Sequence, residues 1–282
     1  MEQYKKNRVK SRISWTIAII LAVAMSITAV LPFFFMVLNS FKGKFEILTK
    51  GVFSLPESLN FSNYQTVLGG GFIRYFLNSV LVLLISLVIL LFISACASYP
   101  LARFKFRLNG FIYGLIVACM AIPIHITLIP VFQMTKKMGI YDSLAALIGP
   151  DVAFAVPISV FILTSFMKSI PKEIEESAEI DGCSKYKMFF RIILPLSKPG
   201  LSTLTIYNGV NIWNEFSFAY TLTQSKACRT LPLAVWDFQG QYAMNTPMIM
   251  AVLTLSVLPM IILYVCAQDK LVKGMTAGAV KG

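Results

Sequence analysis

Polar side chains with hydrogen-bonding capacity are concentrated in one apolar stretch late in the chain. Asn208, Asn211 and Glu215 recur at the spacing that places them on one face of a helix, with Trp213 and Asn214 beside them. Amide and carboxylate groups hydrogen-bond to hydroxyl groups, and aromatic rings pack against the apolar faces of sugars. We therefore expect Asn211, Asn214 and Glu215, with Trp213, to line the path of an uncharged, hydroxyl-rich solute. The alternative is hydrogen bonding between helices, which uses the same groups.

The residue types needed for covalent catalysis or metal binding are scarce. The chain has a single histidine, and its five cysteines form neither a CxxC pair nor a zinc spacing. It also lacks the GxxxxGK[ST] phosphate loop. We predict no catalytic residue, no metal site and no cofactor in this chain, which argues against a membrane-bound enzyme. ATP hydrolysis, if it drives the protein, must come from a separate subunit.

The elements that carry the polar residues are six apolar blocks, each long enough to cross a bilayer as a helix of about 20 residues. Of the 282 residues, 57% are hydrophobic and 13% are charged, whereas a soluble domain would have roughly a quarter charged. We predict an all-α, polytopic membrane protein with six transmembrane helices. The blocks are residues 14–41, 75–100, 110–134, 143–167, 198–222 and 247–267.

The segments between the blocks complete the predicted organisation. Residues 1–13 precede the first span, 14–41, which is too long for a signal-peptide core and is expected to be retained. The five later spans belong to a core domain over residues 75–267, and residues 268–282 form a tail. Two outer loops are longer than a connection requires, residues 42–74 and 223–246.

The distribution of basic residues sets the orientation. If the N-terminus is cytoplasmic, 17 of the 25 Lys and Arg residues lie on the cytoplasmic side. This bias predicts that both termini, residues 1–13 and 268–282, are cytoplasmic. The net charge of +12 therefore reflects membrane topology, and we predict no nucleic-acid partner.

Two acids, Asp151 and Glu215, fall inside the apolar blocks, along with the single histidine, His125. A charged side chain at the bilayer centre costs about 2.5–3.5 kcal/mol on insertion scales. At a rise of about 1.5 Å per residue all three lie in the outer half of the bilayer, which fits an external vestibule better than a relay across the membrane. We interpret His125 as a packed or vestibule residue. Asp151, beside Pro150, is interpreted as reaching the outer interface.

The segment between the fourth and fifth blocks, residues 169–197, has the signals of two short helices. Ser169 can cap the first helix, and Gly182 suits its left-handed C-terminal cap. A second helix is expected to begin near Ser184 and to end at Leu194-Pro195. Small side chains on this segment would let another protein approach the backbone. The apolar anchors are expected to be Ile174, Ile180, Phe189, Phe190 and Ile193.

The same segment carries a motif. Glu176-Ser177-Ala178, Gly182, Ile192 and Leu194-Pro195 match the pattern EAA-x3-G-x9-I-x-LP, with Ser177 as the only departure. The chain thus resembles the permeases of binding-protein-dependent ABC importers. Three further stretches and the tail extend the resemblance to the maltose-type, carbohydrate branch: Leu128-Ile129-Pro130, Ser169-Ile170-Pro171-Lys172-Glu173, Trp213-Asn214-Glu215-Phe216 and residues 273–282.

The resemblance implies the fold of a type I ABC importer permease in a bacterial cell membrane. It implies that residues 169–197 form a cytoplasmic coupling loop that docks on an ATPase. The residues expected at that contact are Glu176, Ser177, Ala178, Asp181 and Gly182. The implied partners are two ATPase subunits that bind ATP and Mg, a second homologous permease and an external solute-binding protein. The implied activity is import of a sugar or oligosaccharide by alternating access.

The outer loop 223–246 is expected to contact the binding protein. By resemblance its candidate side chains are Trp236, Asp237, Gln239 and Gln241. The alternative class is a secondary transporter, which often pairs acids with bases inside the membrane. Apart from Lys198 at the cytoplasmic edge of the fifth block, the apolar blocks contain no Lys or Arg, and a secondary transporter would not need the coupling loop.

Overall fold

A computed structural model describes residues 2–237 and 245–279, and over these residues all regular structure is helical. The α-helices are α1 (Glu2–Ser40), α2 (Lys44–Lys50), α3 (Ser62–Val67), α4 (Ile73–Arg103), α5 (Asn109–Ala118), α6 (Leu128–Lys137), α7 (Ala145–Ser169), α8 (Glu173–Ile180), α9 (Lys185–Met188), α10 (Leu194–Leu196), α11 (Lys198–Trp213), α12 (Ser217–Leu222), α13 (Leu231–Asp237) and α14 (Thr246–Ala279). Short π-helical segments join α3 to α4 (Leu68–Phe72) and α9 to α10 (Phe189–Ile193).

Three helical stretches of the described chain are long and apolar enough to cross a membrane on their own. They are Trp15–Ser40, Ser62–Arg103 and Ala145–Ser169, with mean hydropathies of 2.5, 3.1 and 2.0. The predicted third span, 110–134, is not one continuous helix. It is a pair of apolar helices, Asn109–Ala121 and Ile124–Lys137, that meet at 91°. Pro123 lies at the break in an extended conformation, because a proline in a helix removes a hydrogen bond and crowds the preceding turn.

The fifth and sixth blocks also differ in detail from continuous spans. The fifth block, 198–222, consists of α11 and α12, which are separated at Asn214, Glu215 and Phe216. The sixth block begins near its predicted start, but its helix α14 continues to Ala279 and so includes most of the predicted tail. The segment 238–244 of the second outer loop, with Gln239 and Gln241, lies outside the described residues.

The chain divides into two compact units. The first contains residues up to 70 and 235–258, and the second contains residues 71–234 and those from 259 onward. In the first unit, the C-terminal end of α1 is fixed by side chains of the outer loop that follows it. The Asn63 amide donates hydrogen bonds to the carbonyl oxygens of Ser40 (2.8 Å) and Lys42 (2.9 Å). These bonds satisfy carbonyl groups that the helix end leaves without a partner.

Lys42 is fully buried in the same loop. Its ammonium group donates to the carbonyl oxygens of Gly51 and Val52, both at 3.3 Å, and to the hydroxyl of Ser54 at 3.2 Å. A buried ammonium group is costly unless its hydrogen bonds are satisfied. The three acceptors therefore hold the loop closed around this side chain.

In the second unit, α4 packs along α7, and α11 packs on both helices. The α4 face in this contact has buried serines at four-residue spacing, among them Ser94 and Ser98. Small residues let membrane helices approach closely, and Ser98 donates a hydrogen bond to the carbonyl of Val160 on α7. Two apolar clusters extend along these helices. One lies around Leu90 and Phe218, and the other lies around Leu163 and Ile193 beside the coupling loop.

We predict that Asn63→Ala destabilises the first unit by about 1–3 kcal/mol, because it leaves two backbone carbonyls of a helix end unsatisfied. Thermal unfolding of the purified protein in mild detergent measures this as a lower midpoint. Ser62→Ala is the matched control, since Ser62 is exposed and adjacent. Equal midpoints for the two variants would contradict the assigned role of Asn63.

Candidate functional site

The first helix of the coupling loop begins at Glu173, so the prediction that Ser169 caps it is wrong. Ser169 is the last residue of α7, and its hydroxyl donates a hydrogen bond back to the carbonyl of Phe166 (2.8 Å). Pro171 separates the two helices, and the N-cap position of α8 is Lys172, which makes no side-chain cap. The acidic first turn of α8 instead supplies negative charge at the positive end of the helix dipole.

The C-terminal end of α8 has the predicted glycine cap. Gly182 adopts a left-handed conformation with φ of 76°. Its N–H donates to the carbonyl of Glu179 (3.0 Å), and the N–H of Cys183 donates to the carbonyl of Ala178 (2.9 Å). This pair of bonds is the Schellman motif, which favours glycine at the left-handed position. The next helix, α9, follows Ser184, whose hydroxyl accepts a hydrogen bond from the N–H of Lys187.

The structure separates the five predicted contact residues by exposure. Glu176, Ser177, Asp181 and Gly182 are exposed, whereas Ala178 is buried in the apolar cluster with Phe189. Four of the five residues are therefore available to a docking protein. Ala178 instead packs α8 against the rest of the second unit.

The predicted apolar anchors divide in the same way. Phe189 and Ile193 are buried, but the predictions for Ile174, Ile180 and Phe190 are wrong, because these three are exposed. Ile180 is 87% exposed at the end of α8, and Tyr186 is 83% exposed on α9. Both side chains are therefore exposed enough to contact another protein.

A buried ion pair, which the sequence did not indicate, attaches the coupling loop to α4. Nε of Arg103, the last residue of α4, lies 2.6 Å from Oε1 of Glu175 on α8, and the two side chains are 3% and 12% exposed. The contact is electrostatic, since the two atoms are not aligned as a hydrogen bond. Arg103 also donates through Nη2 to the carbonyl of Ile170 (2.9 Å), at the end of α7. One guanidinium thus joins the ends of α4 and α7 to the coupling helix.

The polar stripe of the fifth block borders a cavity of about 310 Å³ between α7 and α11. We call it the α7–α11 cavity. Its lining residues are Ile124, Pro150, Asp151, Phe154, Ala155, Ile158, Tyr207, Asn208, Asn211, Ile212 and Glu215. Polar groups from two helices and an aromatic ring therefore face one space that is large enough for a monosaccharide unit.

Two of the four predicted path residues, Asn211 and Glu215, line this cavity. Trp213 does not. It is buried and packs edge-on against Phe76, with ring centroids 5.8 Å apart. Asn214 is exposed outside the cavity, and its amide donates to the carbonyl of Val210 (2.8 Å). The helix α11 ends at Trp213, so Asn214 and Glu215 lie beyond it.

Asp151 also lines the cavity, and its place at the outer interface stays a prediction. It is 8% exposed and faces the same space as Glu215. The spacing of Asp151, Phe154 and Ile158 along α7 places them on one helical face. This spacing, with an acid inside an apolar block, was the feature of the sequence that could have placed Asp151 at the cavity. His125 is exposed and follows the lining residue Ile124.

The start of the second outer loop is fixed by Asp142. Its Oδ1 accepts hydrogen bonds from the N–H groups of Gln224 (2.7 Å) and Ser225 (2.9 Å) and from the Ser225 hydroxyl (3.1 Å). Partial burial raises the pKa of Asp142, but the hydrogen bonds outweigh it and hold the pKa below its usual value of 3.8. On α4, the Asn78 amide donates to the carbonyls of Ala227 and Arg229. The loop therefore begins from a rigid base. Trp236, further along on α13, is exposed.

These features are those of a helical membrane protein with several apolar spans. Residues 90–277 match the family described as the binding-protein-dependent transport system inner membrane component. The chain belongs to this family, whose members are permease subunits of ABC transporters.

Relatives and a solved structure agree with this family. This chain is 52% identical to ORF2, a candidate ABC transporter permease of Caldicellulosiruptor sp. (strain Rt8B.4). The match extends over 257 residues and covers 91% of this chain and 94% of ORF2. It is 32% identical to the melibiose/raffinose/stachyose import permease MelC of Bacillus subtilis (strain 168), covering 95% of this chain and 98% of MelC. The fold matches a bacterial importer of the acidic polysaccharide alginate with a TM-score of 0.79 and 22% identity, covering 92% of this chain and 96% of that chain.

We predict that Glu175→Gln destabilises the second unit by about 3–5 kcal/mol, because it leaves the buried Arg103 guanidinium without its counter-charge. The adjacent Glu176→Gln, which removes an exposed acid, should change stability by less than about 0.5 kcal/mol. Thermal unfolding in detergent compares the two variants. A midpoint for Glu175→Gln equal to that of Glu176→Gln would show that the ion pair does not hold the loop.

We predict that Asp142→Asn weakens the base of the outer loop by about 1.5–3 kcal/mol, the worth of hydrogen bonds to a charged group. Asparagine keeps the size and tolerates the left-handed conformation (φ 58°) of this position. Hydrogen exchange of the Gln224 and Ser225 amides, corrected for intrinsic rates, measures the change. Because the folded pKa is lowered, the stabilisation in the wild type is present above the unfolded pKa of about 3.9 and is lost as the pH falls through the folded value. Protection in Asp142→Asn should not change over that range.

Proposed function

We propose that this chain is the membrane-spanning subunit of an ATP-driven importer that carries a sugar or oligosaccharide into a bacterial cell. The observation that carries the proposal is the coupling loop. It presents an exposed surface around Ile180 and Tyr186, while its other side is fixed to α4 by Arg103 and Glu175. A loop built in this way can receive a force from a docked protein and pass it to the membrane helices.

The proposed arrangement has six spans, with both termini and the coupling loop in the cytoplasm. The spans are the three long apolar helices, the bent pair, α11 with α12, and α14. The charge bias of the loops supports this orientation. The proposed location is the bacterial inner membrane, in agreement with the family description.

The proposed partners follow from what this chain lacks and what its family requires. Its sequence has no phosphate-binding loop, so two separate ATPase subunits bind ATP with Mg and hydrolyse it. A second, homologous permease completes the translocation path. An external solute-binding protein delivers the substrate and contacts the outer loop 223–246, whose base Asp142 fixes.

The sugar substrate is supported by the relatives and by the cavity. MelC imports melibiose, raffinose and stachyose, and AraQ of Bacillus subtilis, 30% identical over 92% of this chain, belongs to an arabinooligosaccharide transport system. Asn211, Glu215 and Tyr207 supply the amide, carboxylate and aromatic groups that sugars need. We assign Asn211 and Glu215 to the substrate path, and Trp213 to the packing of α11.

The proposed mechanism is alternating access. Closure of the ATPase subunits displaces α8, and the Arg103–Glu175 pair passes the displacement to the ends of α4 and α7. The membrane helices then open the α7–α11 cavity to the outside, where the binding protein releases the solute. Reopening of the ATPase subunits reverses the displacement and exposes the cavity to the cytoplasm.

Purification of the native complex from mild detergent tests the class of protein. We expect an ATPase with a phosphate-binding loop, a second permease and a solute-binding protein to copurify. Recovery of this chain alone, with uptake driven by an ion gradient and insensitive to ATP depletion, would support a secondary transporter instead.

We predict that Gly182→Asn lowers ATP-dependent uptake at least tenfold without preventing assembly in the membrane. Asparagine tolerates the left-handed backbone, and a Cβ at this position meets no atom of the chain within 4 Å. The added bulk therefore obstructs only a docked partner. Gly139→Asn is the matched control, because Gly139 also has positive φ (70°) and open space, but lies after α6 in the proposed outer region. Uptake that is equally reduced in both variants would count against docking at Gly182.

A further inference from the structure

The α7–α11 cavity has an unequal supply of hydrogen-bond donors and acceptors. The Asn208 amide donates to the carbonyl of Leu204 and to the Ser159 hydroxyl, both at 3.0 Å. The Asn211 amide donates to the carbonyl of Tyr207 at 2.9 Å. A backbone carbonyl can only accept, so each amide nitrogen must face it, and each amide oxygen points away from it. Most of the donors are thus occupied within the protein, and the amide oxygens are left as acceptors.

Asp151 adds a hydrogen-bond acceptor that has no hydrogen-bond partner among the described residues. It is 92% buried, since its relative exposure is 8%, and within the described residues it takes part in no hydrogen bond or ion pair. Its acidic neighbour, Glu215, cannot supply a donor when ionised, and the Glu215 oxygens already accept from the N–H groups of Phe218 (2.7 Å) and Ala219 (2.9 Å). A buried carboxylate normally has hydrogen-bond donors around it. Asp151 is therefore available to hydrogen-bond with a ligand in the cavity.

The charges around the cavity limit which ligand can supply these donors. None of its eleven lining residues is basic, and two are acidic. The nearby base is His125, which is exposed and close enough to interact electrostatically with Glu215. A ligand with hydroxyl groups supplies donors without adding negative charge. A uronate or sulfate group would bring only acceptors. It would also add a negative charge to a space that already has two carboxyl groups.

We propose that Asp151 binds hydroxyl groups of the transported saccharide, and that the α7–α11 cavity thereby selects uncharged saccharides and rejects acidic ones. This inference rests on the proposed function as a saccharide importer. It gives the cavity a role in specificity in addition to that of the binding protein. It also distinguishes this chain from the alginate importer with the same fold, whose polysaccharide is acidic.

The test uses the complete importer in proteoliposomes, with ATPase subunits, second permease and binding protein. The probes are raffinose, maltotriose and xylotriose, each supplied with saturating binding protein, and the quantity measured is saccharide imported per ATP hydrolysed. For the saccharide that the wild type imports, Asp151→Asn should lower this ratio about tenfold. Stimulation of the ATPase by the loaded binding protein should stay within about twofold. A purely structural role of Asp151 would lower both quantities together.

Ser165→Ala is the matched control on α7, since Ser165 is exposed and its hydroxyl bonds only within the helix, to Phe161. It should retain the wild-type ratio. Asn211→Asp tests the same inference in the opposite direction, because it adds a carboxylate to the cavity. With xylotriose and its glucuronic-acid-substituted form as probes, the wild type should import the acidic form at least tenfold less than the neutral form, and Asn211→Asp should widen this difference. This second variant keeps the test decisive if Asp151→Asn does not assemble.

The outcomes separate the inference from the proposed function. If the wild-type complex imports none of the saccharides with ATP, both fail. If it imports them and Asp151→Asn has an unchanged ratio, only the role of Asp151 fails. Import of the glucuronic-acid-substituted probe by the wild type at the same ratio as xylotriose would also overturn the selection against acidic saccharides.

Discussion

The two candidate sites depend on one contact, the packing of α4 against α7. Buried serines such as Ser94 and Ser98 allow the helices to approach closely, and no larger side chain separates them at these positions. Along α7, Asp151 and Ser169 are 18 residues apart, which corresponds to about 27 Å of helix. Arg103 then joins the end of this helix pair to α8. The cavity and the coupling loop thus lie at the two ends of one packed helix pair, so a displacement at either end can be transmitted to the other.

The breaks in the membrane helices follow from the same need to satisfy polar groups without water. Where α11 ends, the N–H groups of Phe218 and Ala219 at the start of α12 require acceptors, and Glu215 supplies both. Glu215 therefore has a structural role at the helix break while it also borders the cavity. Asn208 similarly joins α11 to α7 through Ser159. Interhelical hydrogen bonding, one of the two interpretations of the polar stripe, therefore holds for Asn208, and substrate lining by Asn211 and Glu215 stays a proposal.

Two of the three capping predictions, which depend on local physics, were correct, and that for Ser169 was wrong. The left-handed cap at Gly182 and the helix start after Ser184 follow from a few neighbouring residues, and the structure confirms both. Patterns that depend on burial were less reliable. Ile180 and Phe189 are both large and apolar and lie in the same loop, yet one is 87% exposed and the other 6%. The two side chains are chemically similar, and only the position of α4 and α7 decides which of them is buried.

The sequence by itself determined the helical membrane class, the cap at Gly182 and the helix start after Ser184, because apolar length and capping act over short distances. The tertiary structure alone decided that Arg103 pairs with Glu175, 72 residues further along, and that Asp151 shares a cavity with Glu215. It also decided that Trp213 packs against Phe76 and does not line the α7–α11 cavity. Each of these facts depends on how distant helices are placed side by side, and no local pattern contains that placement.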